Sequence, residues 1–521
     1  MSVKGVAIKK YHDKGAPTRI VRILNGFGVG TMYGVHNDSI KNLARGVVER
    51  VLYTPQPDGS LSEVIKPIPG IYRWLHPLQN RIIRNTRTTT PVERCNYPAL
   101  YSGRKRIVYE RAVKSLAEEP ITERDSHVNT FVKAEKINFS AKPDPAPRVI
   151  QPRDPRYNVE VGRYLKVFEH AVFDGFTKTF GYPVICKGMN ATQTATAIHD
   201  SWALFYDPVA IGLDASRFDQ HVSVEALEFE HRFYNNKFQS EELRQLLKWQ
   251  LQCTGFGRAK DGHLRYSCKG ARMSGDINTS LGNCIIMACV VIGYLEVVGI
   301  NARLHNNGDD CVVILERKDE HLLAGIDRWF QDHGFKLTRE PTVDIFERIE
   351  FCQSQPVFTS TGWRMVRNPY TAMSKDCVSL LSWNNKAEFL AWRNAIATCG
   401  IELTRGVPVW EAWYKKLWVP HSKDYATDHV YDSGMGYAAK GVIGGEITWE
   451  ARYSFYLAYG ILPHDQIALE ESIPDVCWLQ PAPIERLADL SPFTQYFLYA
   501  KQKNQQRPCH PIACGGPATS D

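Results

Sequence analysis

Within the run "HNNGDDCVVIL", His305 to Leu315, two adjacent carboxylates, Asp309 and Asp310, stand between turn-forming residues and a solidly apolar stretch. Asn and Gly favour the positive backbone angles of a hairpin, so the run reads as strand, Asn-Asn-Gly-Asp tip, strand. Two carboxylates at such a tip repel unless a cation sits between them. A second acidic pair, Asp214 and Asp219, ends the apolar run in "PVAIGLDASRFDQHV". The first closes a strand and the second lies one turn onward, facing the same cleft. Asp214 and the Asp309 hairpin can together bind two divalent cations about 3.5 to 4 Å apart, an arrangement that stabilises the attacking and leaving oxygens of phosphoryl transfer. A third segment, "MSGDINTSLGNCIIM", joins a flexible Ser274-Gly275 turn to a helix. Thr279 and Asn283 fall on one face of that helix and can read a sugar hydroxyl. The fourth segment, Thr130 to Arg156, carries Lys133, Lys136, Lys142, Arg148, Arg153 and Arg156. Five prolines between Pro143 and Pro155 forbid a helix there, leaving an extended row of cations suited to a triphosphate.

Several elements must position these groups. "SVEALEFEHRFYNNKF" has helical apolar spacing behind a Ser223 cap, and His321 to Leu337 reads as an amphipathic helix ended by Gly334. "CIIMACVVIGYLEVVGI", Cys284 to Ile300, is interrupted by Glu296 and reads as a buried helix rather than a membrane span. "KAEFLAWRNAIATCGIEL", "WEAWYKKLWV" and "RYSFYLAYGIL" are helical, their Trp and Tyr residues assigned to a core, with some left to line a nucleic-acid channel. Gly-rich "NGFGVGTMYG", Asn25 to Gly34, lacks the Lys-Ser/Thr of a phosphate loop and reads as a structural turn. The 521 residues, 44% hydrophobic, can bury several cores, and the net charge of +7 is compatible with a polyanionic partner. Thirteen cysteines without a Cys-x-x-Cys pair exclude a zinc ribbon and a disulfide framework and point to a reducing cytosol. Cys509, His510 and Cys514 fall in a mobile tail.

In order and spacing, Asp-x4-Asp, Ser-Gly-x3-Thr-x3-Asn and Gly-Asp-Asp resemble motifs A, B and C of positive-strand RNA virus RNA-dependent RNA polymerases. More narrowly the chain is similar to the tombusvirus-like replicases of plant viruses, the carmovirus and umbravirus group. That likeness rests on "YGVHNDSIKNLARGVVERV", "YSGRKRIVYERA", "IEFCQSQPV" and "YLAYGILPHDQIALEE". The resemblance implies catalysis by Asp214, Asp309 and Asp310 as ligands of Mg²⁺, with Mn²⁺ as substitute, and Lys336 as general acid. It implies nucleotide contacts from Lys133, Glu135, Lys142, Arg148, Ile150, Asp219, Ser274, Thr279 and Asn283, and RNA contacts from Ser274, Gly275, Cys352 and Gln353.

The fold implied is α+β, a right hand of fingers, palm and thumb closed by fingertip loops, with an antiparallel palm sheet and a helical thumb. Its divisions would be 1–60, N-terminal extension and fingertip loops; 61–182 with 221–270, fingers; 183–220 and 271–362, palm; 363–500, thumb; and 501–521, a flexible tail. The activity implied is replication of a positive-strand viral genome by two-metal nucleotidyl transfer, started without a primer. Partners would be template and nascent RNA, NTPs, a viral auxiliary replication protein and host factors. No membrane span is expected in this chain, so recruitment from the host cytoplasm to membrane-associated replication complexes would use a partner or a region outside it. A reverse transcriptase is disfavoured by Asp219, which would welcome a 2′-hydroxyl, and by Gly308 in a run where that family usually has an aromatic-x-Asp-Asp pattern. A non-catalytic RNA-binding scaffold is the alternative from another class.

Overall fold

Val209, Ile211, Leu213 and Ala215 of the strand Pro208–Ala215 share one buried face, and Cys311, Val313 and Leu315 share the matching face of Asp310–Glu316. Side chains alternate along a strand, so Asp214 and Asp310 are turned to the opposite face. These two strands are the centre of a four-stranded antiparallel sheet in the order Ala302–Asn306, Asp310–Glu316, Pro208–Ala215, Leu337–Arg339. The helix Thr279–Val298 contributes Leu281, Ile285, Ala288 and Ile292 to the same core as the sheet's buried face. Of the described helices this is the one long and apolar enough to cross a membrane, but 83% of its most apolar window is buried, as expected of a core helix. Each fully buried Leu or Ile contributes about 1.5–3 kcal/mol, so this cluster anchors the sheet firmly.

The computed structural model describes residues 5–11, 18–24, 27–420, 435–476, 493–495 and 497. It is an α+β protein, and the tail from residue 501, with Cys509, His510 and Cys514, lies outside the described residues. Chain contacts divide it into two units. The first comprises Met1–Val21, Gly34–Pro356 and Trp363–Met365; the second comprises Arg22–Tyr33, Val357–Gly362 and Val366–Asp521.

A second sheet in the first unit runs Val6–Lys10, Gly262–Lys269, Gln252–Ala259, Val128–Val132, Val149–Ile150. The helix Ile40–Val47 covers it, with Ile40, Leu43 and Val47 in its core. The proline-rich segment between Val132 and Asp154 contains no helix, as its composition demands. Pro155, however, opens the helix Pro155–Phe180 at a position where a missing N–H costs nothing, so Arg156 is helical rather than extended. Ser223 caps Val224–Phe238 as its position suggests, accepting from the Ala226 N–H at 3.1 Å.

The amphipathic helix read over His321 to Leu337 is shorter than the pattern implies. Arg317–Gly325 is 3₁₀ and only Ile326–Asp332 is α-helical, before Leu337–Arg339 joins the sheet. The break falls at Gly325, whose N–H donates to the Tyr294 hydroxyl at 3.1 Å instead of continuing a helical ladder.

The second unit is mainly helical: Pro369–Asp376, Lys386–Thr404, Trp410–Leu417, Trp449–Tyr459 and Pro463–Glu471. Trp410, Trp413 and Tyr414 are buried together, matching their assignment to a core. Part of the Gly-rich loop is structural here: Phe27 stacks 4.8 Å from Trp413, whose indole N–H donates to the Phe27 carbonyl at 3.2 Å. Trp418 and Tyr453 depart from the core assignment, being 44% and 58% exposed.

Candidate active site

The antiparallel register makes Asp310 the direct partner of Asp214, with Thr338 on the other side of Asp214. Asp309 precedes Asp310 at the tip, where Gly308 adopts φ 98°, a conformation side-chain-bearing residues rarely hold. Asn306 ties the tip down: its amide donates to the Gly308 carbonyl at 2.6 Å and its carbonyl oxygen accepts from the Gly308 N–H at 3.2 Å. Burial and then the charge of Asp309 hold the Asp214 carboxyl above its ordinary range. The Asp310 carboxyl is pushed up to about 6 by burial, then by Asp309 and Asp214. Three carboxylates thus repel one another from neighbouring strands, which is the electrostatic setting a cation relieves. Among the described residues no group of three or more His, Cys, Asp or Glu side chains is placed to hold a metal ion by itself. A small hard cation such as Mg²⁺ needs none, because it keeps waters and takes one or two carboxylates together with substrate phosphates.

Asp214, Asp219 and Asp309 line a cavity of about 850 Å³ together with Lys133, Lys142, Arg148, Ile150 and Ser274. The structure therefore gathers these residues, all singled out from sequence, into one place. Lys133 and Arg148 flank Glu135 at 2.9 and 3.6 Å, a carboxylate that spaces the two cations. The remaining cations of the row are engaged elsewhere. Arg153 is buried against Asp276 and donates to the Ser126 carbonyl, and Arg156 pairs with Asp125 at 3.0 Å. Thus the segment is not a uniform strip of phosphate ligands: its first part faces the cavity and its last part braces the fold.

Asp219 and Asn283 meet directly, the Asn283 amide donating to Asp219 Oδ1 at 2.8 Å. Burial lifts the Asp219 carboxyl, while Asn283 and then Arg272 oppose the rise. The Asn283 carbonyl oxygen accepts from Arg272 Nε at 3.2 Å, which fixes the amide with its N–H₂ toward Asp219. Arg272 in turn pairs with Glu230, both side chains fully buried, and Glu230 also accepts from Asn278 at 2.6 Å and Tyr234 at 2.7 Å. This buried network reaches the cavity through Arg272 and Asp219.

Thr279 and Lys336 are among the predicted residues that do not line the cavity. Thr279 is the first residue of its helix, and its hydroxyl donates to the Met273 and Asp276 carbonyls, each at 2.9 Å, instead of sharing an open face with Asn283. Lys336 is exposed, with its backbone carbonyl accepting from the Ser216 N–H at 2.9 Å, and it is not among the cavity-lining residues. Ser274 donates to the Val149 carbonyl at 3.1 Å, and Gly275 bridges Pro152 so closely that a Cβ would lie 2.5 Å from the Pro152 Cα. Cys352 and Gln353 form a turn at positive φ, 54° and 59°, and the Asn307 amide donates to Cys352 Sγ at 2.8 Å, docking that turn on the acidic tip.

Sequence reasoning missed Arg45, Arg50, Arg217 and Arg272 on the same cavity. Arg50 is held down to about 10 by burial, then by its neighbours Arg148 and Arg217. Arg217, at φ 54°, donates to the Glu49 carbonyl at 2.7 Å. A signal was present: Arg217 lies inside Asp-x4-Asp itself, and Arg45 and Arg50 recur in "KNLARGVVERV".

A family model described as viral RNA-dependent RNA polymerase matches residues 7–477. The RNA-directed RNA polymerase of Tobacco necrosis virus (strain A) is 45% identical over 464 residues, covering 88% of this chain and 64% of that protein. That of Turnip crinkle virus is 44% identical over 467 residues, covering 87% and 60%, and that of Melon necrotic spot virus 42% over 468, covering 88% and 59%. The chain thus spans roughly three fifths of the length of these relatives.

Removing one member of a buried ion pair leaves the other charge uncompensated, which costs about 3–5 kcal/mol. Glu230→Ala is therefore expected to lower unfolding stability on that scale in urea. A variant within about 1 kcal/mol of the parent would show that Glu230 does not hold Arg272 in solution.

Proposed function

The chain belongs to the family of viral RNA-dependent RNA polymerases, and from that membership we propose that it copies an RNA template into complementary RNA, as replication of a positive-strand plant-virus genome requires. The observation that carries this reading is the strand register that sets Asp310 opposite Asp214 beside a cavity lined by both carboxylates and cations. Asp214 and Asp309, with Asp310 beside them, would hold Mg²⁺, or Mn²⁺ in its place, which would supply neutralisation of the charge developing on the transferring phosphoryl group. Lys133, Lys142 and Arg148 meet the triphosphate, the guanidinium giving the planar fork that phosphate oxygens fit. Ile150 packs against the nucleotide. The Asn283 amide holds one oxygen of Asp219 and leaves the other to accept the ribose 2′-hydroxyl. Ser274 and Gly275 touch the template, and the Cys352-Gln353 turn the nascent strand.

In this reading the chain forms a right hand. Residues 61–182 with 221–270 are fingers, 183–220 with 271–362 palm, and 363–500 thumb, while 1–60 extends the fingers. The pairing of Val6–Lys10 with Gly262–Lys269 supports that last assignment. A viral auxiliary protein and host factors would bring the chain from the cytoplasm to a membrane-associated complex.

Asp309→Ala should leave RNA binding through the basic surfaces intact while nucleotide incorporation falls by orders of magnitude. Asp344→Ala, which removes an exposed partner of Arg317, is the control and should leave incorporation near the parent rate. Incorporation by Asp309→Ala at about a tenth of the parent rate in Mg²⁺ would remove the metal assignment and favour a non-catalytic RNA-binding scaffold.

A site built around a hydroxyl rejects the analogue lacking it by about 10⁴ to 10⁵, because its polar groups are then left unpaired. Asp219→Ala should lower kcat/KM for ATP and leave dATP nearly unchanged, narrowing their ratio by at least tenfold, about 1.4 kcal/mol. Parallel decline of both substrates would mean that Asp219 positions the backbone or a metal instead.

Synthesis is expected to begin without a primer. On a template with a blocked 3′ end, labelled product should appear from NTPs alone; product that needs an annealed primer refutes this.

A further inference from the structure

Two thiols of the five-stranded sheet take no part in the reaction proposed above. Cys253 and Cys268 are register partners on the antiparallel strands Gln252–Ala259 and Gly262–Lys269. Directly opposed residues of such a ladder have Cα atoms about 4.5–5.5 Å apart, within the roughly 4.4–6.8 Å that a disulfide spans. Directly opposed, their side chains leave the same face of the sheet. Cys253 is buried in the sheet's core at 1% exposure. Cys268 is partly exposed on the wall of a cavity of about 890 Å³, beside Tyr53, Ile65 and Lys269, through which a small oxidant can arrive.

Arg153 meets the pair from the other side. Its Nη2 donates to Cys253 Sγ at 3.1 Å. Cys268 beside it, against burial and with help from Arg153, brings the Cys253 thiol below its ordinary value. The same guanidinium is buried against Asp276 and donates to the Ser126 carbonyl. Asp276 directly follows Ser274-Gly275, and Gly275 leaves no space against Pro152. Cys253 is thus one of the acceptors that hold Arg153, and Arg153 holds the loop on the cavity wall.

We propose that Cys253 and Cys268 form a thiol-oxidation site, which a two-electron oxidant of the peroxide class converts into a cross-strand disulfide that loosens the Ser274-Gly275 loop. The Cys253 sulfur, the more acidic of the two thiols, attacks one peroxide oxygen and breaks the O–O bond, giving a sulfenic acid and one water. The Cys268 sulfur then displaces the hydroxyl group, which leaves as a second water with the remaining thiol proton. The two thiols lose two electrons and two protons, and hydrogen peroxide gains them. The bridged Cys253 is a poorer acceptor for Arg153, so a buried donor loses its partner.

The test treats the reduced chain with hydrogen peroxide, blocks free thiols with N-ethylmaleimide and maps peptides by mass. A linked Cys253–Cys268 peptide is expected, lighter by two hydrogens than its parts and restored by dithiothreitol. RNA synthesis should fall by about threefold or more and recover on reduction. Cys268→Ser should keep the basal rate and resist peroxide. Cys253 and Cys268 recovered separately alkylated would overturn the proposal, as would peroxide inactivation of Cys268→Ser as steep as that of the parent. A disulfide that leaves synthesis unchanged would overturn the link to the loop. The peptide map stands apart from the polymerase reading, so failure of one is distinguishable from failure of the other.

Discussion

Mutual repulsion among Asp214, Asp309 and Asp310 is the constraint around which the first unit is organised. Like charges held this close would move apart on a flexible support. Here they cannot, because Asp214 and Asp310 are ladder partners and the alternate residues of both strands are locked into the apolar core shared with Thr279–Val298. The hydrophobic cluster on one face of the sheet therefore maintains an unfavourable charge arrangement on the other. Such an arrangement is useful where cations and phosphates enter and leave, because the protein does not have to reorganise to meet them.

A second constraint comes from Arg272, a guanidinium enclosed by the protein beside the cavity. Its charge is balanced by Glu230, and its Nε orients the Asn283 amide, which holds Asp219. Arg272 Nη1 is without a hydrogen-bond partner, so the network is not fully satisfied. A buried pair of this kind does little for net stability compared with apolar packing, but breaking it is costly, and it imposes one orientation on the groups it touches. That orientation matters at Asn283: with the amide reversed, a carbonyl oxygen would face the Asp219 carboxylate.

The basic segment shows how one composition serves two purposes. Lys133, Lys142 and Arg148 lie on the cavity wall, whereas Arg153 and Arg156 have buried or half-buried carboxylate partners, Asp276 and Asp125. The difference follows from position. The first three precede or flank the short strand Val149–Ile150 at the sheet's edge, while Arg153 forms a backbone bridge with Val128 and Arg156 lies in the first turn of Pro155–Phe180.

By itself the sequence determined the chemical inventory and its local settings. The acidic hairpin with its Gly308 turn, the strand ending in Asp214, the Ser223 cap and the absence of helix after Lys133 all follow from short-range preferences of the residues involved. Order and spacing of the acidic and Ser-Gly motifs pointed to the family. Only the tertiary structure decided which cations face the cavity, that Thr279 turns to loop carbonyls while Asn283 reaches Asp219, and that Arg45, Arg50, Arg217 and Arg272 belong to the site. Gly325, read as part of a continuous helix, instead marks the junction between a 3₁₀ stretch and the α-helix Ile326–Asp332, its N–H given to the Tyr294 hydroxyl thirty-one positions earlier. The physical reason is common to these cases. Periodicity and turn chemistry report a residue's neighbours in the chain, but the partner of a buried charge or a hydrogen-bond donor is set by the packing of distant segments, and such partners decide where a side chain points.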